Sequence, residues 1–141
     1  MPLKGNDTDG AVTRKRIEDY VTAREKVTAV AITDAATPTA AQLLNSKLFV
    51  ATPTVDTTFT LPTDALVLAA LKDEAVGTSF EFTIVNLASG FEIVVTTNTG
   101  WTITGGGFMT VFDGTSATFL AVVTSATTAQ LYRKNSGGAV K

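Results

Sequence analysis

The chain has 141 residues, of which 45% are hydrophobic and 17% charged, with a formal net charge of −2 and neither Cys nor His. That is one ordinary domain with enough apolar content for a core, and a globular rather than a disordered composition. The missing side chains exclude a disulfide framework, a thiol nucleophile and a structural zinc site, and remove the commonest general base. The charge supplies no bulk attraction to nucleic acid.

Charge is unevenly spread. Residues 1–34 hold half of the charged side chains, six basic and six acidic, and so are neutral overall. Residues 35–131 hold Lys47 and Lys72 against seven carboxylates, set among Thr, Ala, Val and Phe. The division predicts a mixed-charge arm over residues 1–33, a β body over 34–134 and a short flexible tail over 135–141.

Residues 1–10 are polar and rich in Gly and Asp, as in a terminus that orders on binding a partner. Residues 13–26 are predicted as a short helix with Thr13 as N-cap. Ile17, Tyr20, Val21 and Arg24 fall at i, i+3, i+4 and i+7, which gives a narrow apolar stripe. Such a stripe is too narrow to stand alone and must dock, either on the chain's own body or on a neighbour or scaffold. Residues 27–33 alternate as a strand, and a strand of this kind in an extended arm suits addition to a partner's sheet.

Thr37 as N-cap with Pro38 at the first helical position predicts a two-turn helix ending at Asn45-Ser46. Residues 47–51 and 57–61 are strand candidates bounded by Pro53 and Pro62. Thr63 is predicted to cap a second short helix over 64–71, closed by Lys72-Asp73-Glu74.

The second half alternates with period 2. In 78–86, Phe80, Phe82 and Ile84 share a face; in 91–97, Phe91, Ile93 and Val95 do. Ala88-Ser89-Gly90 between them reads as a turn, so Glu81 and Glu92 are expected on one hairpin. Trp101 and Ile103 form a short strand, and 108–112, 116–124 and 129–134 complete the set, with Asp113-Gly114-Thr115 as a hairpin signal. Short strands at this spacing mean a mainly β chain, an antiparallel sandwich of the jelly-roll kind with two short helices and a helical or extended N-terminal arm.

Sites for chemistry are weakly signalled. Gly100 to Gly107 has the glycine spacing of a phosphate loop but lacks its Lys and Ser/Thr, which leaves a glycine bend. Asn6 to Gly10 opens like a calcium loop, but Arg16 stands where the closing Glu belongs. Paired carboxylates for sugar hydrolysis would have to come from the seven in the body, with Glu81 and Glu92 as the nearest pair in sequence pattern. Arg14-Lys15-Arg16 is followed at once by Glu18 and Asp19, so carboxylate partners suit it better than nucleic acid. Trp101, the single Trp, reads either as a core or rim aromatic or as a sugar-stacking platform. No catalytic residue, cofactor or metal ligand is assigned.

The order of Thr37-Pro38-Thr39-Ala40-Ala41-Gln42-Leu43-Leu44, Phe59-Thr60-Leu61-Pro62, the run from Gly77 to Asn86, Gly100-Trp101-Thr102, Gly105 and Leu131-Tyr132-Arg133 resembles a β module of bacteriophage virion proteins. Such modules include capsid decoration (cement) proteins and the ends of head and tail fibres. The resemblance implies a structural protein and not an enzyme: a homotrimer on the outer shell of a phage head, with the major capsid protein as partner. No cofactor, nucleic acid or membrane is involved, and the location is the virion, assembled in the host cytoplasm. The start, Met1 to Asp7, also lacks the apolar stretch of a secretory signal. The arm, through Arg14, Arg16, Ile17, Tyr20, Val21 and Arg24, is expected to dock on the capsid or a neighbouring subunit. The alternative is a fibre module that binds receptor glycans, with Trp101 at an exposed tip.

Overall fold

The computed structural model describes residues 26–71, 75–104 and 109–135. In chain order these form β1 (Val30–Ile32), a π-helical turn (Gln42–Ser46), β2 (Leu48–Ala51), β3 (Thr57–Thr60), α1 (Asp64–Ala70), β4 (Ser79–Asn86), β5 (Ile93–Thr96), β6 (Trp101–Ile103), β7 (Thr110–Val111), β8 (Ser116–Ser125) and β9 (Thr128–Arg133). Over the described residues the chain is mainly β, with two sheets and two short helical segments.

Strand alternation decides what goes inside. In β4, Phe80, Phe82, Ile84 and Asn86 are buried while the residues between them are not; in β8, Ala117, Phe119, Ala121 and Val123 are buried. Successive residues of a strand point to opposite faces, so each strand gives one set to the core. Rings from four strands meet there. Phe49 of β2 lies 4.9 Å from Phe59 of β3, Phe59 lies 6.0 Å from Phe82 of β4, and Phe82 lies 5.3 Å from Phe119 of β8. These separations fall in the favourable range for aromatic pairs. Truncating one such buried ring costs about 3–5 kcal/mol. Phe59 is the one ring of the four from the smaller sheet, so the core joins the two sheets.

The larger sheet has six strands in the order β1-β2-β4-β8-β9-β6, and the smaller three in the order β3-β5-β7. Pairing is mixed rather than antiparallel throughout. β4–β8, β8–β9 and β5–β7 are antiparallel, but β1–β2, β2–β4, β3–β5 and β6–β9 are parallel. The cause is connection. Among the described strands, only β8 and β9 are consecutive antiparallel neighbours, joined at Ala126-Thr127; other neighbours are reached by crossing over.

Both turns read as hairpins therefore serve another purpose. The segment 87–92 carries the chain from β4 in the larger sheet to β5 in the smaller one, and 112–115 carries it back from β7 to β8. Phe91, expected on one strand face with Ile93 and Val95, lies on the first crossing and is 36% exposed. The strand at 30–32, read as fit for a partner's sheet, is the edge strand of the chain's own larger sheet: Val30, Ala31 and Ile32 register with Phe49, Val50 and Ala51.

The helical segments deviate in their caps. Thr39, not Thr37, caps the first. The Gln42 N–H donates to Thr39 Oγ1 (3.1 Å) and the Thr39 N–H donates to Gln42 Oε1 (2.9 Å), a reciprocal capping box. Of the two threonines, only Thr39 has a Gln three residues on. The segment stops after Ser46, where Lys47 takes a left-handed φ of 58° and its N–H closes on Gln42 O. Thr63 occupies the cap position of α1 but its hydroxyl makes no cap bond; Asp64 Oδ1 instead accepts the Ala65 N–H at 2.7 Å.

The outward faces of the two sheets differ. The larger carries Leu48, Val50, Val85, Leu120, Val122 and Tyr132, all half-buried and none in the core cluster. The smaller carries Thr58, Thr60, Thr96 and Thr110 around a single large apolar residue, Val94.

Candidate functional site

The docking residues expected in the arm, Arg14, Arg16, Ile17, Tyr20, Val21 and Arg24, lie outside the described residues, as do the calcium-like run at 6–10, the turn at 72–74, Gly105 to Gly107 and the tail beyond Asn135. Of the glycine run, Gly100 is described. Its φ is +86°, and a Cβ there would sit 1.9 Å from Asp64 Cγ. The glycine is needed for close approach to a buried carboxyl, as a bend would require.

Trp101 is not a stacking platform. It is 8% exposed, and its indole N–H donates to Pro62 O at 2.8 Å. An aromatic with one polar edge satisfies that edge when buried, and Pro62 O accepts here. The glycan-binding alternative loses the residue on which it rested.

Glu81 and Glu92 do not share a hairpin either. Glu81 stands on β4 and pairs with Lys134 Nζ at 2.6 Å; Glu92 precedes β5 in the other sheet, where its N–H donates to Asp56 Oδ1 at 3.0 Å. Among the described residues, no group of three or more His, Cys, Asp or Glu side chains is placed to hold a metal ion, and no helix is long and apolar enough to cross a membrane.

What the structure does build is an end of stitched loops. β1, β2 and β4 run toward it and are followed there by residues 33–35, 52–56 and 87–92; β7 runs to it and β8 starts from it, with 112–115 between. Asn86, fully buried, is the central stitch. Its Nδ2 donates to Phe91 O (2.8 Å) and Val111 O (3.1 Å), and its Oδ1 accepts the Ala88 N–H (3.0 Å). One amide thereby fixes the last residue of β4, the crossing that follows and β7 in the smaller sheet. Such a group, with donors and acceptor both used, tolerates full burial.

Carboxylates hold the rest. Asp34 Oδ1 accepts from the Thr54 N–H and hydroxyl, both at 3.0 Å; Asp56 takes the Glu92 N–H; Asp113 Oδ2 takes the Gly90 N–H at 3.2 Å. Backbone bonds from Gly114 N to Ala88 O (3.1 Å) and from Asn86 N to Thr115 O (2.8 Å) tie the two crossings together. Arg133 at the end of β9 spans the sheets, Nη1 donating to Thr110 O and Nε to Asn135 O, each at 2.6 Å, and burial lowers its pKa from the ordinary guanidinium value.

These loops then expose apolar side chains. Val55 in 52–56 is 55% exposed, and on the first crossing Leu87 is 60% and Phe91 36% exposed. Fixed backbone with exposed apolar tips suits contact with another protein surface, because little ordering entropy remains to be lost on binding. Of the seven carboxylates weighed for acid–base work, Asp56 and Asp113 accept loop N–H groups and Glu81 pairs with Lys134.

Sequence reading did not single out Asn86. The available signal was an amide closing an apolar strand, Phe82-Thr83-Ile84-Val85-Asn86, just before a Ser-Gly turn. The chain matches no family model, no curated protein and no solved structure.

Proposed function

We propose that the chain is a structural virion protein, a capsid decoration (cement) protein that binds the outer shell of a phage head as a homotrimer and stabilises it, with the major capsid protein as its partner. The observation that carries this reading is the loop end: a rigid, hydrogen-bonded platform that exposes Val55, Leu87 and Phe91. A catalytic site needs groups free to move protons, whereas the side chains here are committed to holding backbone. The sequence resemblance supports the same class. In this reading the two sheets form a jelly-roll-like sandwich, the arm docks through Arg14, Arg16, Ile17, Tyr20, Val21 and Arg24, and the loop end seats against the shell.

The test is to mix the purified chain with phage heads that lack decoration and to image them. Discrete density at repeated capsid positions, three copies to each, is expected. Val55→Asp combined with Phe91→Asp should reduce occupancy at least tenfold while the far-ultraviolet circular dichroism is unchanged. Heads that remain bare with the native chain overturn the reading. Occupancy unchanged in the double variant moves attachment away from the loop end.

A further inference from the structure

The outward face of the six-stranded sheet is the best candidate for a second surface. Leu48, Val50, Val85, Leu120, Val122 and Tyr132 stand on it, opposite the core-facing set of the same strands. Registered neighbours place Val50 beside Val85 and Leu120 beside Tyr132, so two apolar patches form at opposite corners. Thr83 and Thr118 lie between them, hydrogen-bonded to each other at 2.9 Å, and the Tyr132 hydroxyl donates to Gln130 Oε1.

Charge on this face is already settled. Glu81 and Lys134 neutralise each other across β8 at 2.6 Å, although residues 35–131 as a whole carry seven carboxylates against two cations. A charge-recognising partner has nothing unpaired to hold among the described residues of this face. Identical copies, in contrast, can approach it with no net repulsion, despite the negative balance elsewhere.

Size points the same way. Six strands about 4.8 Å apart make a face roughly 29 Å wide, and at about 3.3 Å per residue its longest strand runs roughly 33 Å. That gives several hundred Å², the scale of the roughly 800 Å² that each partner contributes to a standard interface. The three-stranded sheet, whose strands have two to four residues, is too small.

We propose that the outward face of the six-stranded sheet is where copies of this chain meet, arranged around the axis of the homotrimer. This rests on the oligomeric part of the function proposed above and names the surface responsible. The apolar corners pack against other copies, and the Thr83–Thr118 and Glu81–Lys134 pairs enter the contact already partnered.

Light scattering on the full chain tests it. The native protein should have three times the 14.7 kDa mass of one chain. Leu120→Lys should fall to the mass of one chain, whereas Val94→Lys on the smaller sheet should stay associated. Because Leu120→Lys can also disturb folding, a gentler pair accompanies it. The chain has no Cys, so Thr118→Cys and Thr58→Cys each introduce one thiol. Maleimide labelling of Cys at 118 should be at least tenfold slower than at 58 at high protein concentration, and should speed up on dilution. A native chain that stays monomeric, or equal labelling at the two positions, overturns the proposal. A monomeric chain that still decorates heads leaves the attachment reading intact; an associated chain that leaves heads bare removes that reading and keeps this surface.

Discussion

The two ends of the body are closed by different physics. At the loop end, an amide and three carboxylates accept or donate to backbone in two loops and in β7, and apolar side chains are exposed. At the other end, α1 buries Val67 and Leu68, Trp101 is sealed on Pro62, and Gly100 packs on Asp64. One end is specified by directional bonds and leaves Val55, Leu87 and Phe91 exposed. The other buries Val67, Leu68 and Trp101 by packing, while Leu66 and Val76 stay exposed there. Directional bonds can hold irregular backbone in a fixed shape without covering it, which is what a contact surface needs.

The sharpest way to break this contrast is Asn86→Ala. It leaves Phe91 O, Val111 O and the Ala88 N–H without their partner and opens a small cavity. The expected loss is about 3 kcal/mol, read by urea denaturation. A loss below about 1 kcal/mol would show that packing, not this amide, holds the loop end. Next comes Gly100→Ala at the helix end. A Cβ at 1.9 Å from Asp64 Cγ, at a φ of +86°, should cost about 2 kcal/mol. Combining it with Asp64→Ala should recover part of that loss in a double-mutant cycle, since the clash is with that side chain. Full additivity would mean that the backbone conformation alone carries the cost.

Trp101→Phe should cost about 1 kcal/mol, because the ring stays buried but Pro62 O loses its donor. Its thermal unfolding midpoint should fall by a few degrees. Smallest is Glu81→Gln at protein concentrations too low for copies to associate, within about 0.5 kcal/mol, because the pair with Lys134 is then exposed and solvent-screened. A larger loss at high concentration would mean that the pair is buried by a neighbouring copy, so measuring it at low and high protein concentration sharpens the view of that face.

Strand positions were largely legible in the chain. The expected 78–86, 116–124 and 129–134 correspond to β4 (Ser79–Asn86), β8 (Ser116–Ser125) and β9 (Thr128–Arg133), because period-2 burial is written residue by residue. Pairing was not legible. Ala88-Ser89-Gly90 and Asp113-Gly114-Thr115 have the local chemistry of a hairpin turn, yet they carry the chain between sheets. Gly90 and Gly114 have positive φ in these crossings as they would in a hairpin, so the turn residues do not distinguish the two. The decision belongs to Asn86, whose partners Phe91 and Val111 are 5 and 25 residues away. The candidate site was illegible for the same reason: the loops that carry Val55, Leu87 and Phe91 reach one end of the body only through the pairing of the strands beside them.

The place of β8 sets a timetable for the chain. This strand lies between β4 and β9 in the larger sheet, yet it is next to last in sequence, and β6 hydrogen-bonds only to β9, the last. While a ribosome is still making residues 87–115, β4 has an open edge and its Phe80, Phe82 and Ile84 lack the β8 residues that close over them. Non-local pairing of this kind is slow and leaves strand edges open during synthesis. The body is therefore completed only once its final strand has emerged, and surfaces built on the finished sheet become available for assembly after synthesis, not during it.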